Sequence, residues 1–185
     1  PPNVIQTKMD WTAPHAGLVL LSSEHGLLVW TPLVLLSLCG LILLAIRNSE
    51  EGSGLSRMSH VTLGLLLMAV AQVYVTGSLS SWASAGAFGQ RRFVGATVIL
   101  VIGLAAFLKF VTSGWKRQTF GCLIGLCIWW NIGLMVQFGS GMMDRQKIEL
   151  QKNAYNSFVR LPRELPSLAY RYFFDRHSFY EPHNE

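Results

Sequence analysis

Four long apolar stretches, separated by short polar connections, dominate the chain. No Asp, Glu, Lys or Arg falls between Glu24 and Arg47, between Arg57 and Arg91, between Arg92 and Lys109, or between Arg117 and Asp144. A hydrocarbon core of about 30 Å needs about 20 apolar residues in helical conformation. The pattern therefore predicts spans at about 27–46, 61–79, 93–110 and 119–138. Trp30 stands near the start of the first span, where an indole favours the headgroup boundary, and Pro32 falls in its first turn or so. Lys109 can snorkel to the surface at the end of the third. Polar residues inside spans are few: Gln72 and Tyr74 in the second, Asn131 and Gln137 in the fourth. Interhelical hydrogen bonds account for the two fourth-span amides, and Gly121 with Gly125 makes a weak signal for close helix contact.

The flanks read differently. Residues 1–26 are polar apart from Ala16–Leu21, six residues that cannot cross a bilayer and suit a buried loop or a short interfacial helix. The loop 48–59 is rich in Ser, Gly and Glu and reads as a solvated turn. Residues 139–185 form a basic, aromatic tail of helical composition. In 144–161, Ile148, Tyr155, Phe158 and Val159 fall near one face. Beyond Pro162 and Pro166, residues 168–180 mix Tyr and Phe with Arg171 and Arg176. That mixture suits a helix lying on lipid, and it suits equally a helix packed on protein.

Composition agrees with this outline. Half the residues (51%) are hydrophobic and 14% are charged, outside the balance of a soluble domain. The fold class is thus all-α membrane protein, with about four transmembrane helices and an amphipathic C-terminal helical tail. Seven of the fifteen Lys and Arg residues follow Gly141, so nearly half of the basic residues belong to the tail. Beside membrane spans, anionic lipid headgroups fit such charge better than nucleic acid does. Cys39, Cys122 and Cys127 all fall inside predicted spans, which argues for packing rather than a disulfide framework or a metal site. The chain opens Pro-Pro-Asn without an initiator Met, as a piece of a longer polypeptide would.

Candidate chemistry gathers in the loop Ser80–Arg92. Arg91 and Arg92 close it at the mouth of the third span, where guanidiniums call for an anionic partner. An Arg fork suits phosphate, and neighbouring Gly and Ala residues allow close approach. Anchoring to bulk headgroups explains the pair as well. Trp82, Phe88 and Phe93 would make an aromatic wall for a ligand or an interfacial belt. Glu24 and His25, on the same side, would give polar support or proton transfer, or simply cap the turn. No phosphate-cradling Gly-Lys loop, metal-ligand spacing or nucleophile elbow is present.

Two segments carry a resemblance. Ser22-Ser23-Glu24-His25-Gly26-Leu27-Leu28-Val29-Trp30-Thr31-Pro32 resembles the S-x-x-H-G-L-x-x-W-T-P segment of large bacterial membrane glycosyltransferase-like proteins. Gly86-Ala87-Phe88-Gly89-Gln90-Arg91-Arg92-Phe93 resembles their G-x-S-F-G-x-R-R-F loop. The two occur in the expected order, each followed by a span. Those proteins are similar to dolichyl-phosphate-mannose protein mannosyltransferases and other GT-C enzymes. Family members often have a second Trp where this chain has Ala83, and Ser where it has Ala87.

The resemblance covers roughly residues 15–140 and corresponds to the C-terminal part of such enzymes. It implies a polyprenyl-phosphate-linked sugar donor, held at its phosphate by Arg91 and Arg92, and no cofactor or metal. It also implies a catalytic carboxylate in an early loop outside this chain, so no catalytic residue is assigned here. The expected location is a bacterial inner membrane with loop 80–92 and the tail extracytoplasmic. Basic residues near the span ends do not decide that orientation, since Arg47, Arg57, Lys109, Lys116 and Arg117 balance Arg91, Arg92, Arg145, Lys147 and Lys152. The alternative function is a non-catalytic membrane scaffold or assembly subunit that binds partners through its spans and basic tail.

Overall fold

The computed structural model describes residues 8–50, 57–83, 86–111 and 114–175. Most of these are helical, and among them no strand forms; Met9 and Leu79 make one isolated antiparallel bridge. In chain order the helices are α1 (Ala16–Leu21), α2 (Leu27–Trp30), α3 (Leu33–Glu50), α4 (Arg57–Gly77), α5 (Thr97–Phe110), α6 (Gly114–Ser140), α7 (Leu150–Tyr155) and α8 (Leu161–Phe174). A 3-10 turn, Arg91–Ala96, leads into α5, and a π turn, Asn156–Arg160, joins α7 to α8.

Three helical stretches are long and apolar enough to cross a membrane: His60–Gly77, Arg91–Phe110 and Gly114–Ser140. The expected first span departs from this pattern. It breaks at Thr31, whose φ of −134° and ψ of 74° lie outside the helical region, because the ring of Pro32 disfavours an α conformation in the residue before it. The helix resumes as α3, whose apolar part, Leu33–Arg47, is shorter than the other three. The fourth span is longer than expected, running from Gly114 to Ser140 rather than over 119–138.

Two layers result. In the apolar layer α3 packs along α5 and α4 and touches α6. The α3–α5 contact is a glycine crossing. A Cβ on Gly40 would strike the Gly103 carbonyl, and one on Gly103 would strike the Ser37 carbonyl. Gly121 and Gly125, the pair singled out by spacing, face open space instead. Phe107 of α5 meets Phe120 of α6 edge to face at 5.2 Å. Apolar side chains such as Leu35, Ile42, Leu67, Val98, Val101 and Leu126 point outward, as lipid-facing residues do.

The second layer caps one end of the bundle and holds many polar cross-links. Asn131 donates to the Trp30 carbonyl at 3.0 Å, and Gln72 to the Arg92 carbonyl at 2.9 Å. Both bonds lie at the level where α3 and α5 begin, and they mark the junction of the layers. Above it α1 packs on the end of α4, tied by His15 N–H to the Gly77 carbonyl at 2.8 Å and by the Tyr74 hydroxyl to the Trp11 carbonyl at 2.6 Å. Residues 141–160 fold back over α6. There the Trp129 indole donates to the Ser157 carbonyl at 3.0 Å, and Gly133 leaves room for the Ser157 side chain.

The tail's buried face differs from the expected one. Ile148 is buried, but Tyr155 and Phe158 are exposed, and Asn153, Asn156, Ser157 and Leu161 turn inward. The partner of Asn153 and Ser157 on α6 is the amide of Gln137, so polar complementarity sets the face, not hydropathy. Pro162 and Pro166 do not end the helix, which continues to Phe174. The π turn directly before Pro162 shifts the hydrogen-bond register where proline supplies no N–H. The expected positions 176–180 lie outside the described residues, as do 51–56 of the turn 48–59, whose two ends are helical, 48–50 in α3 and 57–59 in α4.

Candidate functional site

The site begins with the tight turn Ser22–Gly26. Gly26 N–H donates to the Ser22 carbonyl at 2.8 Å, and a Cβ at Gly26 would collide with that backbone, so glycine is required there. The turn delivers His25 inward, where its side chain is completely buried and stacked on Trp30 with centroids 5.4 Å apart. Trp30 is likewise fully buried and donates its indole N–H to the Glu24 carbonyl at 3.1 Å. It is therefore a core residue of the cap and not a headgroup-facing indole. Three groups satisfy its neighbours. Trp130 donates to the Val29 carbonyl at 3.1 Å, and Asn131 reaches both the Trp30 carbonyl and the Thr31 hydroxyl. Ile148 N–H donates to the Ser23 carbonyl at 2.8 Å.

The arginine loop docks on this turn. Gly86 and Gly89 take positive φ values of 72° and 57°, which L side chains adopt rarely, and swing the chain so that Phe88 points at Trp30. Phe88 meets Trp30 edge to face at 5.3 Å and Phe138 at 5.5 Å. Beyond Phe138 lies the Arg145 guanidinium, 5.5 Å from the ring centroid. Gln90 is buried, and its amide donates to the His25 carbonyl at 3.3 Å and to the Trp82 carbonyl at 3.2 Å. One side chain thus joins the loop's start, its end and the His25 turn.

The two arginines have different surroundings. Arg92 is half-buried and donates from Nη2 to the Ser81 carbonyl at 2.7 Å and the Ser81 hydroxyl at 3.2 Å. Arg91, at the first position of the 3-10 turn, is exposed and has no hydrogen bond or ion pair among the described residues. The three candidate aromatics are also divided. Phe93 is buried with Val19, Leu27, Val34 and Ala96, and Trp82 packs on that group while lying parallel to His15 at 6.4 Å. Phe88 belongs to the other cluster, with Trp30, Leu134, Met143 and Ile148.

Electrostatically, His25 is the unusual group. Burial pushes its pKa below the ordinary value of 6.5, with the Gly89 backbone, the Gln146 side chain and the Glu24 carboxylate opposing that shift in part. Neither ring nitrogen makes a well-formed hydrogen bond. The imidazole is therefore held neutral in the cap. Glu24, beside it, is exposed, and its backbone rather than its carboxylate holds the turn. Among the described residues, no three His, Cys, Asp or Glu side chains lie close enough to share a metal ion.

Sequence reasoning brought His25, Trp30, Phe88 and the arginines into consideration and passed over Gln90, Trp130, Asn131 and Arg145 as site-builders. Gln90 stood inside the quoted loop motif, but its two carbonyl partners are 65 and 8 residues away and leave no local trace. Comparison with protein families, curated proteins and solved structures finds no match to this chain.

Proposed function

We propose that this chain is the transmembrane portion of a GT-C-type glycosyltransferase that uses a polyprenyl-phosphate-linked sugar donor at the extracytoplasmic face of a bacterial inner membrane. The observation that carries this reading is the docking of the Gly86–Phe93 loop on the His25–Trp30 turn through Gln90 and Phe88, with Arg91 exposed at the loop's end and without a partner among the described residues. The two segments that resemble the family thus meet in one place, although about sixty residues separate them. Buried glutamine and aromatic contacts fix the loop, and a guanidinium held beside a rigid loop is pre-organised for a phosphate.

In the proposed reaction the bond between the sugar's anomeric carbon and the phosphate oxygen breaks as the acceptor oxygen bonds to that carbon. The acceptor's proton goes to a carboxylate outside this chain, and the lipid phosphate leaves as an anion. Arg91 stabilises the charge that develops on the leaving phosphate. Arg92, committed to Ser81, positions the loop. In this reading α3 is the fourth membrane-crossing helix, since it lies at the centre of the apolar layer between α4 and α5.

The test uses the full-length protein in native or reconstituted membranes. Arg91→Ala lowers transfer from a polyprenyl-phosphate sugar by about 100-fold or more, the range for removing one charge-stabilising donor, while expression and insertion stay unchanged. Wild-type transfer by that variant rejects the proposal. So does cytoplasmic labelling of single cysteines placed in loop 80–92 after replacement of Cys39, Cys122 and Cys127.

A further inference from the structure

The last helix, α8, packs chiefly on the π turn that precedes it and leaves most of its surface uncovered. At about 100° per residue, Leu161, Leu165, Leu168 and Tyr172 fall within an arc of about 60°. Leu161 is buried against the cap, but further along, Leu165 is 42% and Phe173, on the flank of the stripe, 75% exposed. Arg163 and Ser167 stand on the opposite side and are exposed, and Arg171 lies nearer that side than the stripe. A stripe of this kind on a helix with Arg163, Glu164 and Arg171 cannot lie in hydrocarbon, and in water it leaves a long apolar row uncovered.

The depth of this helix is set by its anchor. The π turn is pinned to α6 by the bond from Trp129 to the Ser157 carbonyl, and Phe158 stacks on Trp130 at 6.5 Å. Trp129 and Trp130 adjoin Asn131, which reaches the Trp30 carbonyl at the junction of the apolar and polar layers. That junction is where the lipid-facing band of α3 and α5 begins. α8 therefore starts at the depth of the membrane–water boundary. Of its exposed aromatics, Tyr172 and Phe173 lie on or beside the stripe and Tyr170 and Phe174 on the side of Arg163, and all are of the residue types that favour this zone.

We infer that α8 is an interfacial anchor: it lies in the headgroup region of the bilayer that holds the spans, with Leu165, Leu168 and Phe173 immersed and Arg163 among anionic headgroups. The occupant of the uncovered stripe is lipid, not a protein partner. Continuity with the lipid-facing band and charge complementarity favour it, since Lys152, Arg160, Arg163 and Arg171 outnumber Glu164 and Asp175 along residues 150–175. This inference stands apart from the glycosyltransferase reading and survives its failure.

The experiment places an environment-sensitive fluorophore on single cysteines at Leu165, Phe173 and Arg163 in the full chain, after the three native cysteines are replaced. The protein is reconstituted in phosphatidylcholine vesicles with and without phosphatidylglycerol, carrying spin-labelled lipids with shallow or deep acyl quenchers. The expected result is blue-shifted emission at 165 and 173, quenched more by shallow than by deep labels, while position 163 stays open to aqueous quencher. Adding phosphatidylglycerol strengthens the shallow quenching at 173, and Arg163→Glu in the background removes that gain. Water-like emission at 165 and 173 overturns the proposal. Shielding that no lipid quencher reaches overturns it too, because a protein surface then covers the stripe. Stronger quenching by deep than by shallow labels shows a helix inside the hydrocarbon and likewise rejects it.

Discussion

Asn153 of the tail donates its side-chain amide to the Oε1 of Gln137 on α6 at 3.0 Å, and Gln137 returns a bond to the Asn153 carbonyl at 3.2 Å. Gln137 also donates to the Ser157 hydroxyl at 2.8 Å, while Asn153 Oδ1 accepts the Glu149 N–H at 2.8 Å. Every polar group of this pair is engaged in a buried setting, where an unmet partner costs about 1–3 kcal/mol. Gln137→Leu and Asn153→Leu should each destabilise the protein by about that amount in detergent unfolding. The double variant should cost clearly less than the sum, because each single change already orphans the other amide. Additive losses in the double-mutant cycle would show that the two side chains are not coupled.

The glycine crossing of α3 and α5 gives a second prediction. Gly40→Ala forces its Cβ against the Gly103 carbonyl and the Phe107 backbone, groups that cannot rotate away. Overpacking of this kind costs about 1–3 kcal/mol. Gly121→Ala and Gly125→Ala meet open space and should be neutral, or stabilising by about 0.5–1 kcal/mol because alanine is the better helix former. Melting temperatures of the three variants check the contrast, and equal effects at all three positions would contradict the packing described.

His25 makes the cap sensitive to pH. Its folded-state pKa lies below the ordinary 6.5, so the unfolded chain takes up the proton more readily than the folded one. The stability contributed by the neutral ring is full above about 6.5, and it is lost as pH falls from there through the lower folded-state value. His25→Phe, which keeps a flat ring on Trp30, should flatten the dependence in that window. A wild-type profile that does not change between neutral pH and mild acid refutes this assignment of the ring.

Arg92 and Arg91 should separate in stability. Arg92→Ala removes the link to Ser81 and should loosen loop 80–92, with a cost of about 1 kcal/mol and faster amide exchange there. Arg91→Ala breaks no bond within the described residues and should leave both readouts at wild-type values. A matching loss of stability in the two variants would mean that Arg91 also holds the loop.

Much of the helical plan was legible. Charge-free stretches located the three helical stretches long enough to cross a membrane to within about five residues, because insertion of a segment depends on its own length and transfer energy. Pro32 carried a readable signal as well, yet its effect on Thr31 splits the first span instead of sitting inside its opening turn. Trp30 was misplaced for a different reason. An indole near a span end has the same local pattern whether it meets headgroups or is sealed by Phe88 and Gly89, and those neighbours come from elsewhere in the chain. Likewise the spacing of Gly121 and Gly125 matched a contact motif, while the contact itself formed at Gly40 and Gly103, where two helices happen to cross.

By itself the sequence determined that this protein is a set of apolar helices with a basic aromatic tail, and that the chain from Gly86 to Phe93 is its most distinctive loop. Those features come from hydropathy and residue type, which act over one or two turns. Only the tertiary structure decided that Gln90 fastens this loop to His25, that Arg92 is tied to Ser81 while Arg91 has no partner among the described residues, and that the tail turns its amides towards Gln137. Each of these joins residues far apart in the chain or distinguishes identical neighbours, and the choice depends on which surfaces the packed helices bring into register.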